Sequence, residues 1–255
     1  NQSRRQRQMC IRDRSLEGLK PVVAIYSTFL QRGYDQFIHD VCLENIDVTF
    51  AIDRAGIVGE DGPTHTGSFD ISFMRCIPNI VISCPSNEHE LWHLLNICYE
   101  HKGPAAIRYP RGSGIGVQPI PNEVEGFEIG KAKKIKDGQS VCILNFGVLM
   151  DQIDQIAEKK DYTLYDMRFI KPIDQDALEH AMQHETIITL EDNTLLGGCG
   201  SAVGEKLHKQ KFKGNLLSIG LKDEFPAHGS RNEILRQNGL DEESIQKTID
   251  DFLRN

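Results

Sequence analysis

Short apolar runs alternate along this chain with segments whose apolar residues recur at helical spacing, and this alternation limits the possible folds most strongly. From Ser15 onward, the extended runs PVVAIYSTF, VTFAID, IVISC and AAIRY are separated by such segments. One segment, GYDQFIHDVCLEN, places Tyr34, Phe37 and Val41 on one face of a helix. Strands that alternate with helices are typical of parallel βαβ units. The sequence therefore predicts an α/β fold built on parallel sheets.

The alternation is interrupted once, and the interruption predicts two domains. Residues 112–126 (GSGIGVQPIPNEVEG) are rich in Gly and Pro and lack periodicity, as expected of an interdomain linker. The first α/β domain is expected over residues 15–111 and the second over residues 127–255. Strands of the second domain are predicted in the runs SVCILNFG, TLYDMRF, TIITLED and GNLLSIG. Its helices are predicted near residues 150–160, 174–183, 201–210 and 241–254.

Charge is distributed unevenly along the chain. The formal net charge is -8, yet residues 1–14 contain five arginines and one aspartate, so the remainder is strongly acidic. Nucleic acids and anionic membrane surfaces require clustered Lys and Arg, and an acidic body argues against both partners. Any phosphate that this protein binds must therefore be met by a few placed cations.

Cysteine usage and hydropathy indicate the cellular compartment. The seven cysteines include no C-x-x-C pair and lie mostly inside apolar runs, which is typical of reduced, buried thiols. No stretch approaches the roughly 20 apolar residues of a membrane span, and the first residues lack the apolar segment of a signal peptide. We expect a cytoplasmic protein that has no membrane contact.

Polar and aromatic residues stand at the ends of three predicted strands. Tyr26 and Phe29 close the first strand, Asp53 and Arg54 close the second, and Arg111 follows the fourth. In an open parallel sheet, ligands bind beyond the carboxyl ends of the strands, so these side chains would share one rim if neighbouring strands pair. From position alone, an equally good explanation is that the two arginines only cap loops or pair with carboxylates.

The loop GIVGEDGPTHTG adds a titratable pair close to this rim. It contains Asp61 and His65, and Gly62 and Pro63 between them favour a tight turn. A histidine held beside a carboxylate can move a proton near neutral pH, although an exposed loop histidine is more often without such a role. One His near one Asp is only part of a metal site, so no metal site is predicted.

A second glycine cluster, LLGGCGSAVGEKL, lies at a predicted strand-to-helix turn. Its spacing, G-x-G-x-x-x-G over Gly198, Gly200 and Gly204, differs from the dinucleotide fingerprint, and it comes late in its domain. Tight helix packing or contact of a helix terminus with an anion explains the cluster better than cofactor binding. The role of the Gly197–Gly204 turn is left open.

Six runs resemble, in this order, the 1-deoxy-D-xylulose-5-phosphate synthase family of the transketolase superfamily. They are KPVVAIYSTFLQRGYDQ, FAIDRAGIVGEDGPTHTGSFDISFMRCIPN, PAAIRYPRG, ILNFGVLM, DMRFIKPID and GLKDEFPAHG. The resemblance implies a pyrimidine-binding domain followed by a transketolase C-terminal domain in a homodimeric enzyme. Such an enzyme uses thiamine diphosphate and Mg²⁺ to condense pyruvate with D-glyceraldehyde 3-phosphate, and carbon dioxide is lost. Its product feeds isoprenoid, thiamine and pyridoxal precursor synthesis.

The resemblance also implies roles for individual residues. Phe29 of YSTFLQR would pack near the aminopyrimidine ring of the cofactor, and His65 would lie near the reacting carbon as a catalytic proton donor or acceptor. Tyr26, Arg54 and Arg111 would hold the phosphate of the acceptor, while Arg32 and Asp61 would help to position it. Two guanidinium groups and a phenol suit a phosphate because charge-assisted hydrogen bonds are the strong ones.

The chain also departs from the family. Members carry an N-terminal domain that binds the diphosphate and Mg²⁺, and a glutamate just before the YSTF strand; neither is found in this sequence. Residues 1–14 do not resemble the family and are expected to be an artefact or a disordered basic arm. Glu17 lies near the gap, but its setting, SLEGLKP, is that of a helix end, so it is not assigned the missing role. We expect a catalytically incomplete fragment.

Two alternative functions remain open at this stage. A pyruvate dehydrogenase beta subunit shares the domain order but uses a lipoyl acceptor, and the pair Arg54 and Arg111 favours a phosphorylated acceptor instead. A non-catalytic module that only dimerises is the alternative from a different class.

Overall fold

Two five-stranded, mostly parallel sheets organise the computed structural model, which describes residues 10–118 and 127–254. Each sheet is covered by helices, and the apolar runs of the sequence form the buried strands. The predicted fold class, two α/β domains with mostly parallel sheets, is therefore confirmed.

The first sheet begins with four parallel strands in the order β1-β2-β4-β3. Their bounds are β1 Val22–Tyr26, β2 Thr49–Asp53, β3 Val81–Ser83 and β4 Ala105–Arg108. The helices of this half are α1 (residues 10–16), α2 Ser27–Leu30, α3 Tyr34–Gln36, α4 Asp70–Arg75 and α5 Glu88–Glu100. Short 3₁₀ helices span Gln31–Gly33 and Gly59–Asp61, and a π-helix spans Phe37–Cys42. Helix α4 was not predicted from the sequence.

The described part of the chain begins with a short helix, and the expectation that residues 1–14 are an artefact or a disordered basic arm stays a prediction. Residues 10–16 form helix α1, in which Ile11 packs against the core of the first half. Arg12 donates from Nε and Nη2 to the carboxylate of Glu44 at 2.8–3.0 Å. Burial of Ile11 and this ion pair explain why the helix forms. Residues 1–9 lie outside the described residues.

The second sheet has the strand order β10-β9-β6-β7-β5. Its strands are β5 Lys133–Lys136, β6 Val141–Phe146, β7 Thr163–Asp166, β9 Thr186–Thr194 and β10 Asn215–Leu221. The helices are α6 Met150–Lys160, α7 Gln175–Ala181, α8 Cys199–Lys209, α9 Arg231–Gln237 and α10 Glu242–Arg254. Strand β5 and helix α9 were not predicted.

The prediction of one strand in TLYDMRF is wrong. Strand β7 ends at Asp166, and a separate strand, β8 (Phe169–Lys171), pairs antiparallel with β3 as the fifth strand of the first sheet. The chain turns between them because Arg168 adopts a left-handed conformation, with φ of 55°. The second half thus supplies an edge strand to the first sheet, and the two halves share backbone hydrogen bonds.

Residues 119–126 of the predicted linker lie outside the described residues. The chain contacts helix α5 both before and after them. Before them, the backbone N–H of Gly116 donates to Oε1 of Glu88 at 2.9 Å. After them, the ring of Phe127 stacks on His93, with centroids 4.4 Å apart, and the Arg168 guanidinium lies 4.0 Å from the Phe127 centroid.

Two further expectations concern thiols and membranes. The seven cysteines are free, and five of them are buried, so the expectation of reduced thiols agrees with the structure. Within residues 10–118 and 127–254, none of the helices combines the length and apolar character that a membrane span requires.

Candidate active site at the rim of the first sheet

The carboxyl ends of β1, β2 and β4 form one edge of the first sheet. Strand β2 lies between β1 and β4, with Tyr26 paired to Asp53 and Ile52 paired to Arg108. Because these strands are parallel, the residues that follow them lie side by side. The arrangement places the loops after β1, β2 and β4 around one concave region.

Arg54 is the centre of the polar contacts at this rim. Directly after β2 it adopts a left-handed conformation, with φ of 58°, which turns the chain sharply away from the strand. Its Nη1 donates to Oδ2 of Asp61 at 2.5 Å, and its Nη2 donates to the hydroxyl of Tyr26 at 3.0 Å. The guanidinium also lies 4.2 Å from the Tyr26 ring centroid. The hydrogen bond with Tyr26 helps to raise the pKa of Arg54, so its charge is secure.

Asp61 is shared between two arginines. Its Oδ2 also lies 3.3 Å from Nε of Arg111, which follows β4. The adjacent Gly62 has a φ of 70°, and this left-handed turn ends the 3₁₀ helix that carries Asp61. One carboxylate therefore faces two guanidinium groups, which leaves further donors of both arginines available to a ligand.

An aromatic surface lies next to the arginine cluster. Phe29 was expected to close the first strand, but it lies in helix α2, one turn beyond the strand end. Its ring stacks on Tyr26 with centroids 5.1 Å apart and an interplanar angle of 17°. Phe29 is 38% exposed. A partly open, flat apolar surface is thus held beside the cationic group.

His65 contacts this aromatic surface rather than the carboxylate that we had considered as its partner. Its ring meets Phe29 edge-on at a centroid distance of 5.7 Å, and its Nδ1 lies 2.9 Å from Oγ1 of Thr64. Among the described residues it forms no ion pair with Asp61. The residue is half-buried in the loop.

Arg32 stands apart from the other candidates. It is exposed in the 3₁₀ turn after α2 and forms no hydrogen bond or ion pair with any of the residues that the structure describes. The remaining predicted site residues form one connected set of contacts: Tyr26, Phe29, Arg54, Asp61, His65 and Arg111.

A cavity of about 670 Å³ adjoins this set between the two halves. Arg54 and Arg111 line it, whereas Tyr26, Phe29 and His65 do not. Its lining from the second half includes Asp151 at the start of α6 and three residues at the start of α9, namely Ser230, Arg231 and Asn232.

Reasoning from sequence missed the contribution of α9. The available signal was the spacing S-x-x-E over Ser230 and Glu233, which forms a capping box in the structure. Residues of the second half pack closely against the turns at this rim. A Cβ on Gly59 would lie 2.8 Å from the backbone nitrogen of Arg231, and a Cβ on Gly62 would lie 3.2 Å from the ring of His228.

A buried charge cluster supports the rim from below. Arg108, the last residue of β4, donates from Nε to Oδ1 of Asp70 at 3.1 Å and from Nη1 to Oδ1 of Asp192 at 2.5 Å. Burial raises the pKa of Asp70, and Arg108 opposes that shift. A Cβ on Gly56, whose φ is 71°, would lie 2.0 Å from Asp192. The loop after β2 is therefore packed onto a carboxylate of the second half.

No group of three or more His, Cys, Asp or Glu side chains suitable for a metal ion occurs in residues 10–118 and 127–254. The site is thus a cationic and aromatic rim with one shared carboxylate. Its chemistry suits a small anionic substrate next to a flat ring.

Comparison with known families defines the class of protein. The transketolase pyrimidine binding domain matches residues 14–115, and the transketolase C-terminal domain matches residues 130–245. The chain belongs to the transketolase superfamily.

Within that superfamily, the sequence is similar to 1-deoxy-D-xylulose-5-phosphate synthases. It is 52% identical over 241 residues to the proteins of that name from Idiomarina loihiensis and Mannheimia succiniciproducens. It is 51% identical over 240 residues to the one from Francisella tularensis subsp. novicida. These matches cover 93–94% of this chain but only 39% of the length of each relative.

Solved structures agree on the fold. A chain described as a split gene transketolase, inactive beta4 tetramer, matches with a TM-score of 0.83 and 23% identity, covering 95% of this chain and 78% of that one. Transketolase from Campylobacter jejuni matches with a TM-score of 0.69 and 19% identity, covering 91% of this chain and 35% of that one. At these identities the two likenesses concern the fold alone.

Proposed function

We propose that this chain forms the pyrimidine-binding and acceptor-binding part of a 1-deoxy-D-xylulose-5-phosphate synthase. Such an enzyme condenses pyruvate with D-glyceraldehyde 3-phosphate and releases carbon dioxide. The observation that carries the proposal is the pair Arg54 and Arg111, which share Asp61 at a rim open to a cavity. The 52% identity to synthases of this name supports the choice of reaction.

The acceptor phosphate is assigned to Tyr26, Arg54 and Arg111. Guanidinium groups bind phosphate through paired, charge-assisted hydrogen bonds, and a phenol adds a neutral donor. The pair also favours the synthase over a pyruvate dehydrogenase beta subunit, because a lipoyl acceptor carries no phosphate. Asp61, which pairs with both guanidinium groups, and Arg32, in the adjacent turn, are proposed to help to position the acceptor.

Phe29 fits the role of a platform for the cofactor's pyrimidine ring. Its ring is partly exposed and is stacked on Tyr26, so that a flat heteroaromatic group can pack against it without rearrangement. When bound, thiamine diphosphate supplies the carbanion chemistry that joins the two substrates. His65, at the edge of the Phe29 ring, is proposed to donate or accept the proton at the acceptor carbonyl oxygen.

The described residues offer no cluster of three or more His, Cys, Asp or Glu side chains that could hold Mg²⁺. We place the ligands of Mg²⁺ and of the diphosphate in the part of the relatives that this chain does not cover. On this proposal the enzyme works as a homodimer, and the 255-residue chain by itself turns over no pyruvate. Calorimetry should find that the chain binds thiamine diphosphate with Mg²⁺ more weakly than about 1 μM; tighter binding contradicts this placement.

The acceptor assignment is tested in a synthase completed with the remaining part of the Idiomarina loihiensis relative. Arg54→Met and Arg111→Met should each lower kcat/KM for D-glyceraldehyde 3-phosphate about 10- to 150-fold, which corresponds to about 1.5–3 kcal/mol for a charge-assisted contact. The parameters for pyruvate should change far less. The double variant should lose less than the sum, because both side chains address one phosphate.

Two controls accompany this measurement. Unphosphorylated glyceraldehyde should be a poor acceptor for the parent and should respond little to either substitution. Arg236→Met, an exposed arginine on α9 outside the cavity lining, should behave as the parent does. If both rim variants keep kcat/KM for the phosphorylated acceptor within about twofold of the parent, the phosphate assignment is wrong.

A further inference from the structure

The cavity beside the rim is larger than a contact for one phosphate requires, and six of its 23 lining residues come from the second half of the chain. Its volume of about 670 Å³ lies within the range of about 300–1,000 Å³ that is usual for small-molecule sites. Arg54 and Arg111 enter it from the first sheet, and Arg231 enters it from the start of α9. Three arginines therefore line one cavity.

Arg231 differs from the other two arginines because it has no partner. Arg54 and Arg111 both pair with Asp61. Within the described part of the chain, Arg231 forms no ion pair, and its Nε, like that of Arg54, is buried without a hydrogen-bond partner. The charge of Arg231 therefore has no carboxylate in ion-pair contact, although the residue lines the cavity.

None of the acidic residues that line the cavity forms an ion pair with Arg231; Asp53 lies against Arg54 instead. Oδ1 of Asp53 accepts from the backbone N–H of Arg54 at 2.7 Å, and Glu88 accepts from Gly116. Asp151 is near enough for Arg231 to lower its pKa, but burial and neighbouring carboxylates outweigh that effect and raise the pKa. Glu60 is exposed at the cavity mouth.

The packing between the halves fixes the position of Arg231 relative to the rim. Gly59, in the turn that leads to Asp61, lies so close to the Arg231 backbone that a Cβ would be 2.8 Å from its nitrogen. The start of α9 thus sits directly on the turn that holds Arg54 and Arg111 through Asp61. A phosphate bound between Arg54 and Arg111 would therefore lie in the cavity that Arg231 also lines.

We propose that Arg231 is a specificity-determining residue that contacts the phosphate of the substrate from the C-terminal domain, together with Arg54 and Arg111. The identity of that substrate rests on the function proposed above. The C-terminal domain is then a part of the acceptor site and not only a support for the first sheet.

The test measures binding to the 255-residue chain, so it does not depend on turnover. Inorganic phosphate and D-glyceraldehyde 3-phosphate are titrated at low ionic strength by calorimetry into the parent, Arg231→Met, Arg54→Met and Arg111→Met. Arg231→Met keeps the apolar stem and removes the charge; it should weaken the binding of both ligands about tenfold or more. Arg231→Gln is measured in parallel, and circular dichroism and thermal midpoints establish that each variant is folded.

Arg236→Met, on the exposed face of the same helix, is the matched control and should bind as the parent does. If folded Arg231 variants bind phosphate within about twofold of the parent while Arg54→Met and Arg111→Met are weakened, the inference is wrong and the proposed function stands. If only the Arg231 variants are weakened, Arg231 is the anion contact and the acceptor assignment to Arg54 and Arg111 fails. Parent protein that binds neither ligand at about 10 mM overturns the inference.

Discussion

One buried arginine and two partly exposed arginines lie at the same end of the first sheet, and they differ in how carboxylates balance their charge. Arg108, whose side chain is 2% exposed, lies between the two carboxylates of Asp70 and Asp192. Arg54 and Arg111, whose side chains are 20% and 40% exposed, share the carboxylate of Asp61, and Nε of Arg54 also lies 4.0 Å from Oδ2 of Asp53. Two carboxylates thus flank the one buried arginine, whereas the two rim arginines share one carboxylate and only Arg54 has a second, longer contact.

This difference separates a structural role from a binding role. An unpaired charge in the interior is strongly unfavourable, so a buried guanidinium requires carboxylates around it. Arg108 has them, although its Nη2 finds no hydrogen-bond partner among the described residues. At the rim, water can solvate the donors that Asp61 does not use, and a ligand can replace that water. Partly exposed guanidinium donors that no carboxylate uses therefore indicate where an anion binds.

The largest expected effect tests the buried cluster. Arg108→Met leaves Asp70 and Asp192 buried without their cation and should lower the free energy of unfolding by about 3–5 kcal/mol, measured by urea denaturation. Arg111→Met is the matched control at the rim and should change it by less than about 0.5 kcal/mol. Equal losses in the two variants would remove the distinction between the groups.

The pH dependence of stability tests a further buried carboxylate, that of Asp166. Asp166, at the end of β7, accepts from Ser86 Oγ at 2.5 Å, and burial with the nearby Glu90 raises its pKa from 3.8 to about 7 against the opposing effect of Arg168. The folded state therefore binds this proton more tightly than the unfolded state does. The contribution of Asp166 to stability falls as the pH rises between these two pKa values, and the loss is complete above about pH 7.

Asp166→Asn removes this contribution. Between pH 5 and pH 8 the variant should lose roughly 2–3 kcal/mol less stability than the parent, as measured by urea denaturation at both values. The dependence should not vanish, because burial also raises the pKa of Glu191 to about 7. A variant whose stability falls as steeply with pH as that of the parent would show that Asp166 is already ionised in the folded protein.

A smaller effect tests the rim itself. Asp61→Asn removes the carboxylate that Arg54 and Arg111 share and that competes with a ligand for both. Stability should change by about 1 kcal/mol or less, as for other partly exposed ion pairs, and affinity of the chain for inorganic phosphate should rise by up to about fivefold. Calorimetry at low ionic strength measures the affinity. Weaker phosphate binding would mean that Asp61 is needed to orient the arginines more than it competes.

The smallest effect on stability is expected at His65. This half-buried loop residue contacts Phe29 and Thr64, so His65→Ala should alter the free energy of unfolding by less than about 1 kcal/mol. In the completed synthase the same change should depress turnover. Parallel losses of stability and of turnover would instead assign His65 a structural role in the loop.

Reasoning from sequence found the rim because it depends on a local rule. Tyr26, Arg54 and Arg111 follow predicted strands, and parallel strands bring their carboxyl ends to one edge. The same reasoning misplaced Phe29 on a strand, because the apolar run PVVAIYSTF continues past Tyr26 into helix α2. It also missed α9, a short helix marked only by its capping box, and with it Arg231 in the cavity wall.

The amino-acid sequence by itself determined the α/β class and the residues that follow the strand ends at the rim, Tyr26, Arg54 and Arg111, since both follow from periodicity and from the order of strands along the chain. Only the tertiary structure decided that Arg108 is buried and paired while Arg111, just beyond the same strand, faces a cavity. It also decided that β8 joins the first sheet. Both outcomes arise from contacts between segments far apart in the chain, such as that of Arg108 with Asp192. A pairing between distant segments adds no local period to the sequence; it becomes visible only when the two halves pack and charge has to be balanced in the interior.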